Sequence, residues 1–455
     1  MEKTDLKHRV PWGYRIFKEY IRLFTDRVYY AKTWYLGTEH IPADGNPVLI
    51  ASNHQNSLND ALGILMAVND RMPHFIVRGN VFAIHPLADK FLRSIGLLPA
   101  YRMQFEGAES MQGNGATFRD AEDALLNGHA VAIFPEAGHQ PGHWLGDFSY
   151  GYTRMAFEAA ERAGFEKEIY ILPACNHYSD YFGLRNELMV RFGQPIALSR
   201  WYEMYRTRPR TAQREVNALV REQIRAMMLD VQDRDHYAEL EFIRTSSFGR
   251  QFAAMLGKDP EKLPERLEAD RELVAAVEGA GPLSEAAYAA AGNLIESEKA
   301  LGITEDQFDR KPKWADTFLN LAALIVLVPL ALFCLWPALP CWLIPMGVYR
   351  AKAKDPMFQG TFLIALNVLF VLPLLGLVTL VAAGICLSWW KALVWVLLFP
   401  LLCIFEAYYV KWCGDVAKDF RWLFLHRRGA LARPEADRDA LAGALEDILN
   451  RNDES

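Results

Sequence analysis

A histidine and an aspartate stand close together in the stretch ASNHQNSLNDAL, residues 51–62. His54 follows a short apolar run, and Asp60 lies six positions later, on the first turn of a helix predicted to start near Ser57. A carboxylate that accepts the proton of one imidazole nitrogen leaves the other nitrogen basic, so the pair can take a proton from a hydroxyl group. The chain has no G-x-S-x-G motif for a serine nucleophile. The pair therefore predicts a substrate whose own hydroxyl group is the nucleophile.

Three other stretches place potential ligand-binding residues at the ends of apolar segments. They are SIGLLPAYR (94–102), AIFPEAGH (132–139) and ILPACNH (171–177). Arg102 is a fixed cation suited to phosphate, and the small residues after Glu136 let a ligand approach the backbone. Each stretch alone is weak evidence for a functional site, but their order and spacing together are strong evidence for one.

Short apolar segments alternate with helical patterns from about residue 40 onward. This alternation predicts an α/β fold with a mainly parallel sheet flanked by helices. In such folds the loops that follow the carboxyl ends of the strands carry the chemistry. The predicted strands are 47–52, 74–79, 130–135, 169–174 and 188–196. The predicted helices are 58–69, 86–95, 117–127, 151–163 and 212–230.

The order of these blocks resembles that of the PlsC-type glycerolipid acyltransferases, the glycerophosphate and lysophosphatidate acyltransferase superfamily. The resemblance covers about residues 33–200 and includes the lead-in GTEHIPADGNPVLIASNHQ (37–55). It implies an enzyme of phospholipid biosynthesis that moves an acyl chain from acyl-CoA or acyl carrier protein to glycerol 3-phosphate or lysophosphatidate. It also implies that His54 is the general base and that Asp60 orients it. The acyl donor is a substrate, and we expect no metal or redox cofactor.

The resemblance further implies a set of substrate-binding residues. Arg102 and Glu136 would help to bind the polar head of the acceptor, and Pro173 would shape the acyl-donor side. The full implied binding set is Asn53, Arg102, Phe134, Pro135, Glu136, Gly138 and Pro173.

Two departures from the family pattern concern the catalytic pair and the third block. Five residues separate His54 from Asp60, where the family commonly has four. This spacing resembles a branch with fungal glycerol-3-phosphate/dihydroxyacetone-phosphate acyltransferases and bacterial relatives that carry C-terminal membrane segments. We expect the added residue to bulge out at the helix start without removing the pair. The third block reads FPEAGHQ (134–140), without the family's arginine, and His139 would partly substitute for that cation.

The missing arginine leaves several acceptors and one other class of function open. Arg102 favours a phosphate-bearing acceptor, whereas the third block and the weakly basic LGDFSYGYTRM (145–155) favour a phosphate-free lyso-aminolipid. A CoA-independent transacylase is a further alternative. A catalytically silent lipid-binding or scaffold protein would have no chemical need to keep His54, Asp60 and Glu136 together.

The C-terminal third changes to long apolar runs that predict transmembrane helices. Residues 317–336 can cross a bilayer, which takes about 20 residues. Proline-broken residues 337–349 would fit a re-entrant or thinly spanning hairpin with the first run, and residues 361–385 and 391–410 predict further spans. Lys and Arg flank these runs. If the first block is a hairpin, the positive-inside rule puts the catalytic domain, RAKAK (350–354) and the tail in the cytoplasm.

Composition sets the remaining expectations. A net charge of -6 gives no general attraction to nucleic acid or an anionic membrane. The apolar runs predict the bilayer as a partner, and the resemblance implies the acyl donor and the glycerolipid acceptor as the others. The six cysteines show no zinc or disulfide spacing and are expected to be buried thiols. The predicted regions are a possibly membrane-interfacial amphipathic helix (1–32), an acyltransferase domain (33–234), a charged helical linker (235–312), a transmembrane region (313–412) and a cytoplasmic tail (413–455).

The first of these regions has an apolar face at helical spacing. The face contains Tyr14, Phe17, Ile21, Phe24 and Val28. Two interpretations stay open from the sequence alone, since such a face either lies in a bilayer interface or docks on the protein core.

Overall fold

A computed structural model describes residues 10–68, 71–79, 82, 85–100, 110–136 and 138–453. The chain forms two compact units. The first consists of Met1–Met228 and Tyr349–Ala365, and the second consists of Leu229–Val348 and Leu366–Ser455. Residues 349–365 therefore belong with the first unit, although the sequence pattern placed them in a continuous transmembrane region.

The first unit is built on one sheet, which has eight strands among the described residues. The strands are β1 (Tyr30–Leu36), β2 (Val48–Ser52), β3 (His74–Arg78), β4 (Leu97–Ala100), β5 (Ala130–Ile133), β6 (Tyr170–Tyr178), β7 (Asn186–Phe192) and β8 (Ile196–Ala197). Seven of them lie in the order β1-β7-β6-β2-β5-β3-β4, and β8 pairs with β6. Of the strand pairs in the described part of the chain, only β6–β7 and β6–β8 are antiparallel. The predicted mainly parallel sheet is confirmed.

The register of the central strands decides where the loops meet. Ile50 of β2 lies opposite Ala132 of β5 on one side and Leu172 of β6 on the other. These strands are buried, which explains their nearly continuous apolar sequences. Because all three run parallel, the residues that follow them emerge at the same edge of the sheet.

Helices cover this sheet and follow the predicted positions closely. They are α1 (Trp12–Leu23), α2 (Leu58–Ala67), α3 (Pro86–Ser94), α4 (Ser110–Leu126), α5 (Gly151–Arg162), α6 (Tyr202–Thr207) and α7 (Pro209–Met227). The main apolar core lies between the sheet and helices α5 and α7. There the hydroxyl of Tyr152 donates to Asn217 Oδ1 over 2.7 Å and joins the two helices.

Helix α1 presents two apolar rows, one of which is predicted from the spacing of its residues. Tyr14, Ile21 and Phe24 of the predicted row are buried, so this face docks on the protein. A second row that includes Trp12 and Ile16 is exposed. The helix also ends earlier than predicted, because a π-helical turn (Phe24–Tyr29) leads directly into β1.

The helices after residue 228 confirm the predicted helical character of the charged linker. They are α8 (Tyr237–Thr245), α9 (Ser247–Met255), α10 (Leu263–Gly279), α11 (Pro282–Leu301), α12 (Asp306–Arg310), α13 (Trp314–Lys352), α14 (Gln359–Leu366), α15 (Leu372–Cys386), α16 (Trp389–Arg427) and α17 (Ala432–Asp453). In the second unit, the buried pair of Arg244 and Asp270 joins α8 to α10 over 2.9 Å.

Among the described residues, three helical stretches are long and apolar enough, by length and composition, to cross a membrane. They are Trp314–Lys352, Pro356–Cys386 and Trp389–Arg427. α13 is assigned as one helix with four prolines inside it, but its contacts reverse direction. Leu324 and Phe333 contact Tyr409 and Trp395, progressively nearer the turn before α16, whereas Trp336 and Cys341 contact Thr379 and Asn367, progressively farther from that turn. The helix therefore bends back at its prolines, in agreement with the expected hairpin. A proline removes one helical hydrogen bond and bends the chain without necessarily ending the helix. Cys386 is exposed, in contrast to the expectation that every thiol is buried.

Candidate active site

The predicted catalytic pair is formed in the loop between β2 and α2. Nδ1 of His54 lies 2.8 Å from Oδ2 of Asp60, which is fully buried. The His54 side chain is 19% exposed, and its Nε2 has no hydrogen-bond partner among the described residues. The arrangement places the imidazole proton on Nδ1 and leaves Nε2 as the basic nitrogen.

Asp60 is held by more than the histidine. Its Oδ2 also accepts hydrogen bonds from the backbone N–H groups of Gln55 and Asn56, each over 2.8 Å. Its Oδ1 accepts from the hydroxyl of Tyr178 over 2.7 Å. These donors satisfy a carboxylate that has no contact with solvent, and they fix its orientation toward His54.

The extra residue between His54 and Asp60 is taken up at the start of α2. Ser57 has a φ of 49° there, in a region that non-glycine residues rarely adopt. The helix begins at the next residue, Leu58. The expectation that the added residue bulges out without removing the pair agrees with this geometry.

The loop after β5 packs directly on His54. The ring of Phe134 stacks on the imidazole with the ring centroids 4.4 Å apart. Oε1 of Glu136 accepts the backbone N–H of His54, and Oε2 accepts the backbone N–H of Gly146, both over 2.7 Å. Gln140 donates its backbone N–H to the carbonyl of His54 over 2.9 Å. In the structure Glu136 therefore positions the backbone of His54. The contact with the acceptor that the resemblance implied stays a prediction.

Burial changes the acidity of Glu136. Removal from solvent raises the pKa of this carboxyl group to about 7, and the negative charge of Asp60 acts in the same direction. The two backbone N–H donors act against this rise, because they favour the ionised form. A Cβ atom at Gly146 would lie 2.6 Å from Oε2 of Glu136, so a larger residue would displace the carboxylate.

The other residues of the implied binding set occupy different settings. Asn53 pairs with the backbone of Asn176, accepting its N–H over 2.7 Å and donating to its carbonyl over 2.9 Å. It therefore ties the end of β2 to β6. Pro173 is buried in β6 opposite Ala51. Pro135 and Gly138 flank Glu136 in the loop after β5, and Arg102 lies outside the described residues.

A distant segment also reaches this loop. We define the connector as residues 353–361, which follow α13. Oδ2 of Asp355 accepts from Nε2 of His139 over 2.5 Å, and the ring of Phe358 meets His139 edge-on at 5.1 Å. The sequence does not indicate this contact, because Lys-Asp-Pro after a basic run is typical of an ordinary membrane flank.

Comparison with known proteins concerns the part of the chain that holds the pair. Residues 34–177 match the family model described as Acyltransferase. These residues form an acyltransferase-family domain. The match confirms the resemblance drawn from the motifs for this region, and it includes His54, Asp60, Glu136 and Pro173.

One solved structure and the curated proteins complete the comparison. The chain is similar to the crystal structure of the 1-acyl-sn-glycerophosphate (LPA) acyltransferase PlsC from Thermotoga maritima, with 16% identity and a TM-score of 0.32. The similarity covers 49% of this chain and 81% of that chain. No curated protein gives a significant match. Within the acyltransferase domain, the buried carboxylate and the free Nε2 of His54 form a unit that can take a proton from a hydroxyl group.

Proposed function

We propose that the protein transfers a fatty acyl chain from acyl-CoA or acyl carrier protein to a hydroxyl group of glycerol 3-phosphate or lysophosphatidate. The observation that carries this proposal is the 2.8 Å contact between Nδ1 of His54 and Oδ2 of Asp60 inside an acyltransferase-family domain. His54 is the general base, and Asp60 is the residue that orients it.

The reaction proceeds by direct attack on the thioester. The hydroxyl oxygen of the acceptor forms a bond to the carbonyl carbon while Nε2 of His54 takes the hydroxyl proton. The resulting tetrahedral oxyanion collapses, the carbon–sulfur bond breaks, and the thiolate leaves and recovers the proton from the imidazolium. General-base catalysis contributes about 10²–10⁴-fold, and alignment of the two substrates contributes about 7–11 kcal/mol.

The proposed binding residues follow from the same loops. Phe134 stacks on the base and limits the directions from which a hydroxyl group reaches Nε2. Arg102 supplies a cation for a phosphate-bearing head group, and Gly138 gives the loop after β5 room for a ligand. The proposed reaction needs the acyl donor and the acceptor as its substrates, so we propose no metal or redox cofactor.

We further propose that the protein is a multi-pass membrane protein with its catalytic domain on the cytoplasmic side. Trp314 at the start of α13 contacts Phe424 near the end of α16, with the ring centroids 5.1 Å apart. The basic residues before α13 and after α16 therefore gather at one end of the long helices. The positive-inside rule assigns such an end to the cytoplasm.

The proposal is tested by acyl transfer with the purified full-length protein in detergent. Labelled acyl-CoA and labelled acyl carrier protein are each tested as the donor with four acceptors, which are glycerol 3-phosphate, dihydroxyacetone phosphate, lysophosphatidate and a phosphate-free lyso-aminolipid. A labelled diacyl phospholipid replaces these donors in the assay for transacylation. We expect transfer to glycerol 3-phosphate or lysophosphatidate, and its loss in His54→Ala. The matched control is His236→Ala, because His236 also bonds to an aspartate through Nδ1 over 2.8 Å but lies outside the family domain.

The outcomes separate the competing functions. Transfer only to the lyso-aminolipid, or only from the phospholipid donor, would replace the proposed acceptor or donor while keeping the chemistry. Activity that survives His54→Ala would contradict the assignment of the base. Absence of transfer from every donor, with lipid binding retained, would favour a catalytically silent lipid-binding protein.

A further inference from the structure

We propose that the connector is part of the active site and that Asp355 holds His139 so that this histidine binds an oxygen of the acceptor's head group beside His54. The proposal rests on the proposed acyl transfer and adds two residues to it. His139 is the acceptor-recognition residue, and Asp355 is a positioning residue that acts through His139.

The first support is the geometry of two adjacent imidazoles. The ring centroids of His54 and His139 lie 5.8 Å apart, and the rings are nearly perpendicular at 81°. Nε2 of His139 is bonded to Asp355, so Nδ1 is the nitrogen that remains for a ligand. Nδ1 accepts a hydrogen bond when the ring is neutral and donates one when it is protonated. Either form can bind an oxygen-bearing group.

The second support is that the connector is packed into the fold at this point. Met357 is buried, and the ring of Phe358 lies against His139. Oγ1 of Thr361 accepts the backbone N–H of Leu58, the first residue of α2, over 3.2 Å. Gly360 lies so close to α2 that a Cβ atom there would be 2.5 Å from Nδ2 of Asn59. Asp355 is therefore brought to His139 by packing of the segment around it.

The third support is the chemistry that the acceptor requires. Its attacked hydroxyl must lie within hydrogen-bond reach of Nε2 of His54. In a glycerol-type acceptor the next oxygen is attached to a neighbouring carbon atom, so it comes close to the second imidazole. The loop FPEAGHQ carries no arginine. Its Phe134 and His139 rings both lie against the ring of His54, and of these two His139 is the one that can form a hydrogen bond to a ligand. A fixed imidazole at that distance suits the polar head better than the apolar acyl chain.

The test measures steady-state kinetics of the full-length protein with donor and acceptor varied separately. The variants are Asp355→Asn, His139→Asn and the double variant, and the control is Asp316→Asn, an exposed carboxylate at the other end of α13. We expect Asp355→Asn and His139→Asn to raise the KM for the acceptor about tenfold or more. The KM for the donor should stay unchanged, and the double variant should be no worse than His139→Asn.

Each outcome has one meaning. Equal changes in both KM values and kcat, or additive effects in the double variant, would show a general structural role and overturn the inference. An acceptor KM that stays at the wild-type value while the wild-type enzyme is active would overturn the inference and leave the proposed function intact. Absence of transfer by the wild type would overturn both. A larger effect on phosphate-bearing acceptors than on phosphate-free ones would identify the bound oxygen as phosphate, and an equal effect would identify a hydroxyl oxygen.

Discussion

At the scale of single residues, the carboxylate of Asp60 links the chemistry to the fold. It is buried and accepts hydrogen bonds from His54, two backbone N–H groups and Tyr178. A buried charge is tolerated only when it is paired and hydrogen-bonded, so this site depends on all of its donors. In the proposed mechanism, the negative charge also stabilises the imidazolium that forms when His54 takes a proton.

We expect Asp60→Asn to remain folded and to lose most of its activity. The amide oxygen can keep the bonds to the backbone N–H groups and His54 while the amide nitrogen faces Tyr178, but the charge is lost. The value of kcat should fall by roughly 10²–10⁴-fold, with small changes in either KM. Single-turnover acyl transfer measures this, with Tyr178→Phe as a control that keeps the charge. Wild-type kcat in Asp60→Asn would contradict the orienting role.

A second prediction concerns the stability that depends on Glu136. The pKa of this buried group is about 7 in the folded protein and near 4.5 when it is exposed, so the folded state holds its proton longer as the pH rises. The free energy of unfolding should therefore fall between pH 4.5 and 7, by up to roughly 3 kcal/mol, relative to that of Glu136→Gln. Unfolding in detergent at several pH values measures the difference. A difference that is constant with pH would contradict the proposed burial of the charge.

At the scale of elements, sequence patterns predicted contacts between residues that are close in the chain and missed contacts between residues that are far apart in it. His54 and Asp60 are near neighbours in the chain, so a strand end and a helix start were enough to bring them together. Thr361 and Leu58 are 303 positions apart, and no periodicity reports such a contact. β1 was missed for another reason, since its mixed polar and aromatic residues continue the pattern of the preceding helix.

The docking of the connector predicts the effect of Gly360→Ala. The added Cβ atom would lie 2.5 Å from Nδ2 of Asn59 and 2.7 Å from the hydroxyl of Tyr29, and both side chains are buried and cannot easily move. Overpacking of this kind costs about 1–3 kcal/mol, and acyl transfer should fall with it. Gly347→Ala is the matched control, because its Cβ atom would have no neighbour within 4 Å. Equal unfolding temperatures and activities for both variants would contradict the packing described.

At the scale of the whole molecule, an ion pair in the second unit joins α12 to α16 at the basic end of the long helices. Arg310 of α12 donates to both carboxylate oxygens of Asp419 in α16, over 2.8 and 3.2 Å. Gln307 donates to the same carboxylate over 2.9 Å. The segment that leads into α13 is therefore tied to the end of α16. Composition predicted the helices and their lengths, but only the three-dimensional contacts show that these two ends lie together.

This arrangement predicts which thiols are reached from each side of the membrane. α16 has 39 residues and is about 58 Å long, which is enough to place the turn before it and the basic end after it on opposite sides of a bilayer. With the basic end in the cytoplasm, an impermeant maleimide should label Cys386 in sealed right-side-out vesicles. It should label the thiol introduced by Arg433→Cys only after permeabilisation. Each of the two thiols is tested in a variant that lacks the other cysteines. Both sites are exposed in the structure, so the reverse order would place the basic end, and the tail that follows it, outside the cell.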